Sequence, residues 1–170
     1  MAKKKPLGRR RFLGLSICSS LAISTTFSVP NIVRARNASD KLRICVIGIR
    51  GRGMGLATGF ASRPNALVTH ICDVNQSLFK TAAQKIKDVQ QVEPMAVQDL
   101  RRVMDDKSID AIVVATPDHW HALATIWGCQ AGKHVYVEKP ISQNVFEGWQ
   151  EVQASRKYDR RVQVGTQCRS

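Results

Sequence analysis

Residues 41–55, KLRICVIGIRGRGMG, decide the fold of this 170-residue chain. A short apolar, branched run at 42–47 leads directly into a cluster of glycines: Gly48, Gly51, Gly53 and Gly55. A buried strand, a tight glycine turn and a helix start are how an α/β protein binds a diphosphate, because backbone N–H groups and the helix dipole both favour the anion. The stretch therefore predicts a nucleotide-binding sheet that begins at residue 41.

Outward from this stretch, apolar runs alternate with helical patterns. Strands are predicted at 42–47, 66–72, 95–97, 109–115, 134–137 and 161–164. Helices are predicted at 52–62, 75–89, 100–105, 119–131 and from 145 onward. Strictly alternating strands and helices are typical of an α/β fold, so we expect a doubly wound parallel sheet of the Rossmann type.

Polar residues at the helix ends support these boundaries. Asp99 is placed to cap the helix at 100–105, and Gly132 is placed to end the helix at 119–131. Asn144 and Glu147 have the spacing of a capping box. The helix that they open carries Val145, Trp149 and Val152 on one face.

The net charge of +13 does not indicate a nucleic-acid-binding protein. Residues 1–36 carry eight basic residues and no acidic one, so the remainder has 18 basic against 13 acidic residues. That remainder is only mildly basic and has no basic stripe interleaved with aromatics. The five cysteines form no CxxC pair and no zinc-like spacing, so no metal site is expected. Cys45 and Cys72 fall in predicted strands and are expected to be small buried hydrophobes.

The first forty residues have the character of an export signal. Arg9-Arg10-Arg11-Phe12-Leu13 resembles the twin-arginine pattern, and an uncharged stretch too weakly apolar for a membrane span follows it. We therefore expect a signal peptide at 1–35, a linker at 36–40, an NAD(P)-binding domain at 41–170, and a periplasmic or secreted protein that meets a membrane only during export. The alternative is a disordered basic tail.

The glycine cluster departs from the dinucleotide pattern GxGxxG. Counted from Gly48, the pattern requires glycines at 50 and 53, but position 50 is Arg50. Gly51 is expected to replace the missing glycine, and Arg50 or Arg52 to reach phosphate oxygens. The alternative is a flexible turn that binds nothing.

Asp73 ends the second predicted strand, 25 residues after Gly48. A carboxylate there accepts hydrogen bonds from both ribose hydroxyls of the adenosine and repels a 2′-phosphate, which favours NAD over NADP. The alternative is an Asp that caps the next helix.

Two further motifs follow strands four and five, where open α/β sheets bind ligands. The first contains Thr116, Pro117 and His121, and the second is Glu138-Lys139-Pro140. Lys139 is expected to hydrogen-bond a substrate hydroxyl or the nicotinamide ribose, and His121 to line the nicotinamide pocket. The candidate cofactor-binding residues are thus Gly48, Arg50, Gly51, Arg52, Gly53, Asp73, Thr116, Pro117, His121, Glu138 and Lys139.

The segments VIGIRGRG, ICDVN, IDAIVVATPDHWHA, AGKHVYVEKPIS and VQVGTQCRS, spread over residues 42–170, together resemble the Gfo/Idh/MocA family of oxidoreductases. The resemblance implies hydride transfer between nicotinamide and a sugar or cyclitol, with Lys139 as the catalytic lysine that contacts substrate and cofactor. It also implies a second α/β domain, which supplies an Asp and a His for proton transfer and through which homo-oligomers form.

That second domain is absent from these 170 residues, so the chain looks truncated and is expected to bind NAD without full activity. Two alternatives stay open. One is a non-catalytic NAD-binding module. The other is part of a glycoside hydrolase that uses bound NAD for transient oxidation.

Overall fold

The computed structural model describes residues 41–167. The predicted signal peptide and linker, together with Cys18 and Cys168, lie outside these residues. The strands are β1 Leu42–Ile47, β2 Ala66–Cys72, β3 Met95–Val97, β4 Ala111–Val114, β5 His134–Glu138 and β6 Val162–Gly165. The helices are α1 Gly51–Ala61, α2 Phe79–Gln90, α3 Leu100–Asp105, α4 His121–Gln130 and α5 Val145–Lys157.

The strands form one sheet in the order β3-β2-β1-β4-β5-β6, and every neighbouring pair is parallel. The chain builds outward from β1 to β3, then crosses back over and builds outward from β4 to β6. This reversal confirms the predicted doubly wound fold. It also leaves a crevice beyond the carboxyl ends of β1 and β4, where such sheets bind their ligands.

The sheet is covered on both faces, because alternate residues of its central strands enter two different cores. Ile44 and Val46 of β1 pack with α1 and α2 residues on one face. Cys45 and Ile47 pack with residues of α3, α4 and α5 on the other face. Burial on both faces explains why β1 and β4 are continuous apolar runs. Cys45 and Cys72 are buried free thiols, as predicted.

Most predicted boundaries agree with the structure to within one or two residues. The predicted helices at 75–89 and 119–131 each begin instead with a 3-10 turn, at Gln76–Leu78 and Asp118–Trp120. The fourth strand is shorter than predicted, Ala111–Val114. Both predicted N-caps are confirmed: Asp99 accepts from the N–H of Arg101, and Asn144 from that of Glu147.

Helix α5 exposes its apolar face to solvent, which is the opposite of the usual amphipathic pattern. The face formed by Val145, Trp149 and Val152 is exposed to solvent, and Val145 retains 91% of its accessible surface. The residues that α5 buries are Glu151 and Ala154. An apolar face therefore does not identify the core side of this helix.

Among residues 41–167, the structure contains no helix with the length and apolar character that crossing a bilayer requires.

Candidate functional site

The turn after β1 has no room for a side chain at its first glycine. Gly48 has a φ of +83°, and its N–H donates to the carbonyl oxygen of Cys72 at 2.8 Å. A Cβ atom on Gly48 would lie 2.6 Å from the carbonyl oxygen of Ala115, just beyond β4. The backbone of the turn therefore packs directly against the next strand, where only glycine fits.

Two further glycines determine how α1 begins. A Cβ atom on Gly53 would overlap the carbonyl oxygen of Gly48, so helix and turn pack backbone to backbone. Gly51 has a φ of +36°, and a Cβ there would have no heavy atom within 4 Å. The displaced glycine thus faces open space. Arg50 precedes the helix and gives it no side-chain cap, which leaves the first N–H groups of α1 available to an anion.

Asp73 holds the other side of this turn. Its Oδ2 accepts from the N–H of Ile49 at 3.0 Å, and its Oδ1 accepts from the N–H of Asn75 at 2.9 Å. The 3-10 turn that follows is capped by Asn75, whose side chain accepts from the N–H of Ser77. Asp73 is therefore fixed beside the glycine turn at the end of β2, where a ribose contact is predicted.

Arg52 and Glu138 join the glycine turn to the end of β5. Arg52 Nε donates to Glu138 Oε1 at 2.7 Å, and Gln167 Nε2 donates to Oε2 at 2.8 Å. Burial pushes the pKa of Glu138 upward, but the hydrogen bonds from Arg52 and Gln167 outweigh it and leave the pKa below its ordinary value. The structure thus pairs the Arg52 side chain with a carboxylate, whereas the sequence left open whether Arg50 or Arg52 reaches the phosphate.

His121 ties the ends of β4 and β5 together. Its Nδ1 lies 2.6 Å from the carbonyl oxygen of Pro140, and its Nε2 lies 2.8 Å from that of Thr116. Only 2% of His121 is exposed. Because both ring nitrogens face backbone carbonyls, this arrangement offers neither nitrogen to a ligand, and a place for the His121 ring beside the nicotinamide stays a prediction.

The remaining predicted residues lie at the same edge of the sheet. Thr116 follows β4, and its hydroxyl is buried without a partner among the described residues. Pro117 begins the next turn, where its carbonyl oxygen accepts from the N–H of Trp120. Lys139 is exposed, joined to Pro140 by a cis peptide bond, and its N–H donates to Glu138 Oε2 at 3.3 Å.

All the predicted site residues therefore gather at the carboxyl edge of the sheet, and three roles can be distinguished among them. The glycines shape the turn, and Asp73, Glu138 and His121 hold backbone or side chains in place. Arg50 and Lys139 extend exposed cationic side chains. Sequence reasoning gave Gln167 no role, although it lies in the last motif, because its contact with Glu138 spans 29 residues.

The observed arrangement fits a dinucleotide. The glycine turn leaves no space for side chains where it meets β4, yet opens to solvent at Gly51, next to the start of α1. Within residues 41–167, no three His, Cys, Asp or Glu side chains are grouped closely enough to hold a metal ion.

Comparison with known proteins agrees with this geometry. A family model described as "Oxidoreductase family, NAD-binding Rossmann fold" matches residues 42–166. A "Glycosyl hydrolase family 109 protein" of Saccharopolyspora erythraea is 28% identical over 175 residues, covering 92% of this chain and 38% of that protein. A protein of the same name from Shewanella sp. is 30% identical over 69% of this chain and 27% of its own length.

Solved structures give the same fold. A probable dehydrogenase of Thermotoga maritima has a TM-score of 0.65 and 27% identity, over 73% of this chain and 36% of its own. GenD2 from gentamicin A biosynthesis, solved in complex with NAD, has a TM-score of 0.68 and 20% identity, over 78% of this chain and 36% of its own. This chain therefore spans less than two fifths of each of these proteins.

Proposed function

The chain belongs to the Gfo/Idh/MocA family of oxidoreductases and contains that family's NAD-binding Rossmann domain, and on this basis we propose that it is the cofactor-binding part of an enzyme that transfers hydride between NAD and a sugar or cyclitol. The observation that carries the proposal is the glycine turn, which packs without side chains against β4 and opens at Gly51 beside the start of α1.

The residues at the sheet edge have distinct parts in this proposal. The first N–H groups of α1 and the Arg50 guanidinium bind the diphosphate. Asp73, already fixed by the N–H of Ile49, accepts hydrogen bonds from the adenosine ribose. When bound, the nicotinamide supplies the hydride acceptor or donor. Lys139 extends from the end of β5, where its ammonium group hydrogen-bonds the nicotinamide ribose and orients a substrate hydroxyl.

The choice of NAD over NADP rests on the charge of Asp73. A 2′-phosphate beside this carboxylate would place like charges together, and we expect NADPH to bind at least about tenfold more weakly than NADH. The test is a fluorescence titration of the purified chain with both nucleotides. Asp73→Asn should reduce the preference for NADH over NADPH, whereas Asp88→Asn, on the exposed surface of α2, should leave this preference unchanged. Failure of the unaltered chain to bind NADH would refute the proposal.

A second candidate function is favoured by the names of the relatives. Proteins named glycosyl hydrolase family 109 match the chain at 28% and 30% identity. A glycoside hydrolase that oxidises its substrate transiently returns the hydride within each turnover, so NADH does not accumulate. Release of nitrophenol from a panel of nitrophenyl glycosides, with no net NADH, would favour this function over the dehydrogenase.

A non-catalytic NAD-binding module is the alternative to these two enzyme functions. We expect this chain alone to bind NAD without oxidising sugars at a useful rate, because the family resemblance assigns the Asp and His for proton transfer to a second domain and this chain spans 38% of its Saccharopolyspora erythraea relative. Sustained NADH production from a polyol panel by the 170-residue chain would contradict this expectation.

Export is proposed separately, from the twin-arginine pattern. Residues 1–40 fused to a reporter should direct it across the bacterial inner membrane, and the double variant Arg9→Lys/Arg10→Lys should retain it in the cytoplasm. Equal export of both fusions would remove the support for a twin-arginine signal.

A further inference from the structure

Two carboxylates hold the glycine turn from opposite sides. On the β2 side, Asp73 accepts from the N–H of Ile49 at 3.0 Å. On the β5 side, Glu138 accepts from the Arg52 guanidinium at 2.7 Å. Because β4 lies between β1 and β5, the second contact passes over the carboxyl end of β4. It therefore spans the part of the crevice that lies away from Asp73.

We propose that Arg52 is a positioning residue that holds the Glu138-Lys139-Pro140 segment against the start of α1, and that Arg50, rather than Arg52, binds the cofactor's diphosphate. This inference rests on the proposed function, in which Lys139 acts at the nicotinamide end of the cofactor. It separates two arginines that the sequence pattern leaves equivalent.

The hydrogen bonds of Glu138 support the first half of the proposal. Its side chain is only 7% exposed, so its charge needs donors within the protein. Arg52 and Gln167 supply them, and the N–H of Lys139 adds a weaker contact at 3.3 Å. The carboxylate thus links the Lys139 backbone to the first turn of α1.

Neighbouring residues leave room for this link. A Cβ atom on Gly165, at the end of β6, would lie 2.6 Å from the Tyr136 hydroxyl and 2.9 Å from Glu138 Oε1. Glycine at this position allows the Glu138 carboxylate to stay where Arg52 meets it. A side chain there would push the carboxylate away from the arginine.

The environment of Arg50 supports the second half. Its residue is exposed in the extended conformation directly before α1, and its guanidinium has no partner among residues 41–167. Arg52, by contrast, already has its charge balanced by Glu138. An anion at the start of α1 therefore meets one free guanidinium, that of Arg50, among these two.

The test compares NADH with ADP, which retains the adenosine and the diphosphate but lacks the nicotinamide and its ribose. Calorimetric titration of the full chain measures both affinities. We expect Arg50→Ala to weaken both ligands alike, by about fivefold or more. Arg52→Ala and Glu138→Gln should weaken the binding of NADH by about tenfold and that of ADP much less, since they displace only the Lys139 segment.

An equal loss of both ligands in Arg52→Ala, with Arg50→Ala unaffected, would overturn the proposal and make Arg52 the diphosphate ligand. A second measurement needs no ligand. In urea unfolding, the stability losses of Arg52→Ala and Glu138→Gln should be non-additive, so that the urea midpoint of the double variant lies near that of the less stable single variant. Additive shifts would refute the link. If the unaltered chain binds neither ligand, the proposed function fails, and the unfolding cycle still decides whether Arg52 positions Glu138.

Discussion

Replacing Glu151 with Gln should stabilise the protein, and the gain should grow with pH. Glu151 lies in the interface of α5 with α4 and is 1% exposed. Neither of its carboxyl oxygens, nor the hydroxyl of Thr125, has a hydrogen-bond partner among the described residues. Burial raises the pKa of Glu151 to about 7, and the nearby charge of Glu147 adds to the increase.

The pKa shift sets the size of the effect. The ordinary pKa is 4.5, so between pH 4.5 and about 7 the folded state keeps a proton that the unfolded state has lost. Stability from this group is therefore fully present below pH 4.5 and falls as the pH rises, until the folded state also ionises near pH 7. The total loss is about 3 kcal/mol.

Urea unfolding at pH 5 and pH 8 measures this loss. The uncharged side chain of Glu151→Gln has no such dependence, so its free energy of unfolding should exceed that of the parent by about 2–3 kcal/mol more at pH 8 than at pH 5. Glu93→Gln is the matched control, because Glu93 pairs with Lys87 on the surface and its removal should change stability by less than about 1 kcal/mol. If the parent and Glu151→Gln lose stability in parallel as the pH rises, Glu151 does not ionise late and the account of α5 is wrong.

Three further predictions concern the turn, a helix cap and the thiols. Gly53→Ala should cost several kcal/mol in urea unfolding or abolish folding, because its Cβ overlaps Gly48, whereas Gly55→Ala, with open space around it, should stabilise α1 by up to about 1 kcal/mol; equal effects would refute the packing argument. Asn144→Ala should lower the free energy of unfolding by about 1 kcal/mol, because α5 loses its N-cap, and an unchanged midpoint would show that the cap contributes nothing. Burial raises the pKa of the Cys45, Cys72 and Cys129 thiols, to about 12 for Cys72 and about 11 for Cys129. In a chain carrying Cys18→Ser and Cys168→Ser, these thiols should therefore react with a disulfide reagent only after unfolding, and rapid reaction of the folded chain would contradict their burial.

Local patterns were sufficient to predict most of the fold. The strand at 42–47 and the glycine turn are contiguous in sequence, and their composition alone limits the conformations available to them. The caps at Asp99 and Asn144 act within three residues of themselves. The alternation of strands and helices then leaves few topologies, of which the doubly wound sheet is the commonest for a glycine turn after the first strand.

Contacts between distant parts of the chain were not predictable in this way. Arg52 and Glu138 are 86 residues apart, and no periodicity links them. Lys133 is 1% exposed, with its ammonium group donating to the carbonyl oxygens of Asp106 and Ile109, although a lysine before a strand is normally expected at the surface. Lys133 and Glu138 are buried because groups distant in the sequence supply their hydrogen-bond partners, and that information lies in tertiary packing.

Residues that hold the loops and residues that are free to bind a ligand lie side by side at this edge, and a sequence motif alone does not distinguish them. Residues that follow parallel strands all lie at the ligand edge, but the edge also needs side chains that fix its loops. His121 is buried between two carbonyl oxygens, and the Glu138 carboxylate accepts hydrogen bonds from donors within the protein, so both side chains are already engaged in contacts of the fold. Arg50 and Lys139 are exposed at the same edge, and among the described residues their charged groups have no partner. Among the cationic side chains at this edge, we therefore expect Arg50 and Lys139 to bind ligands, and the two-ligand comparison of Arg50 with Arg52 is the decisive test.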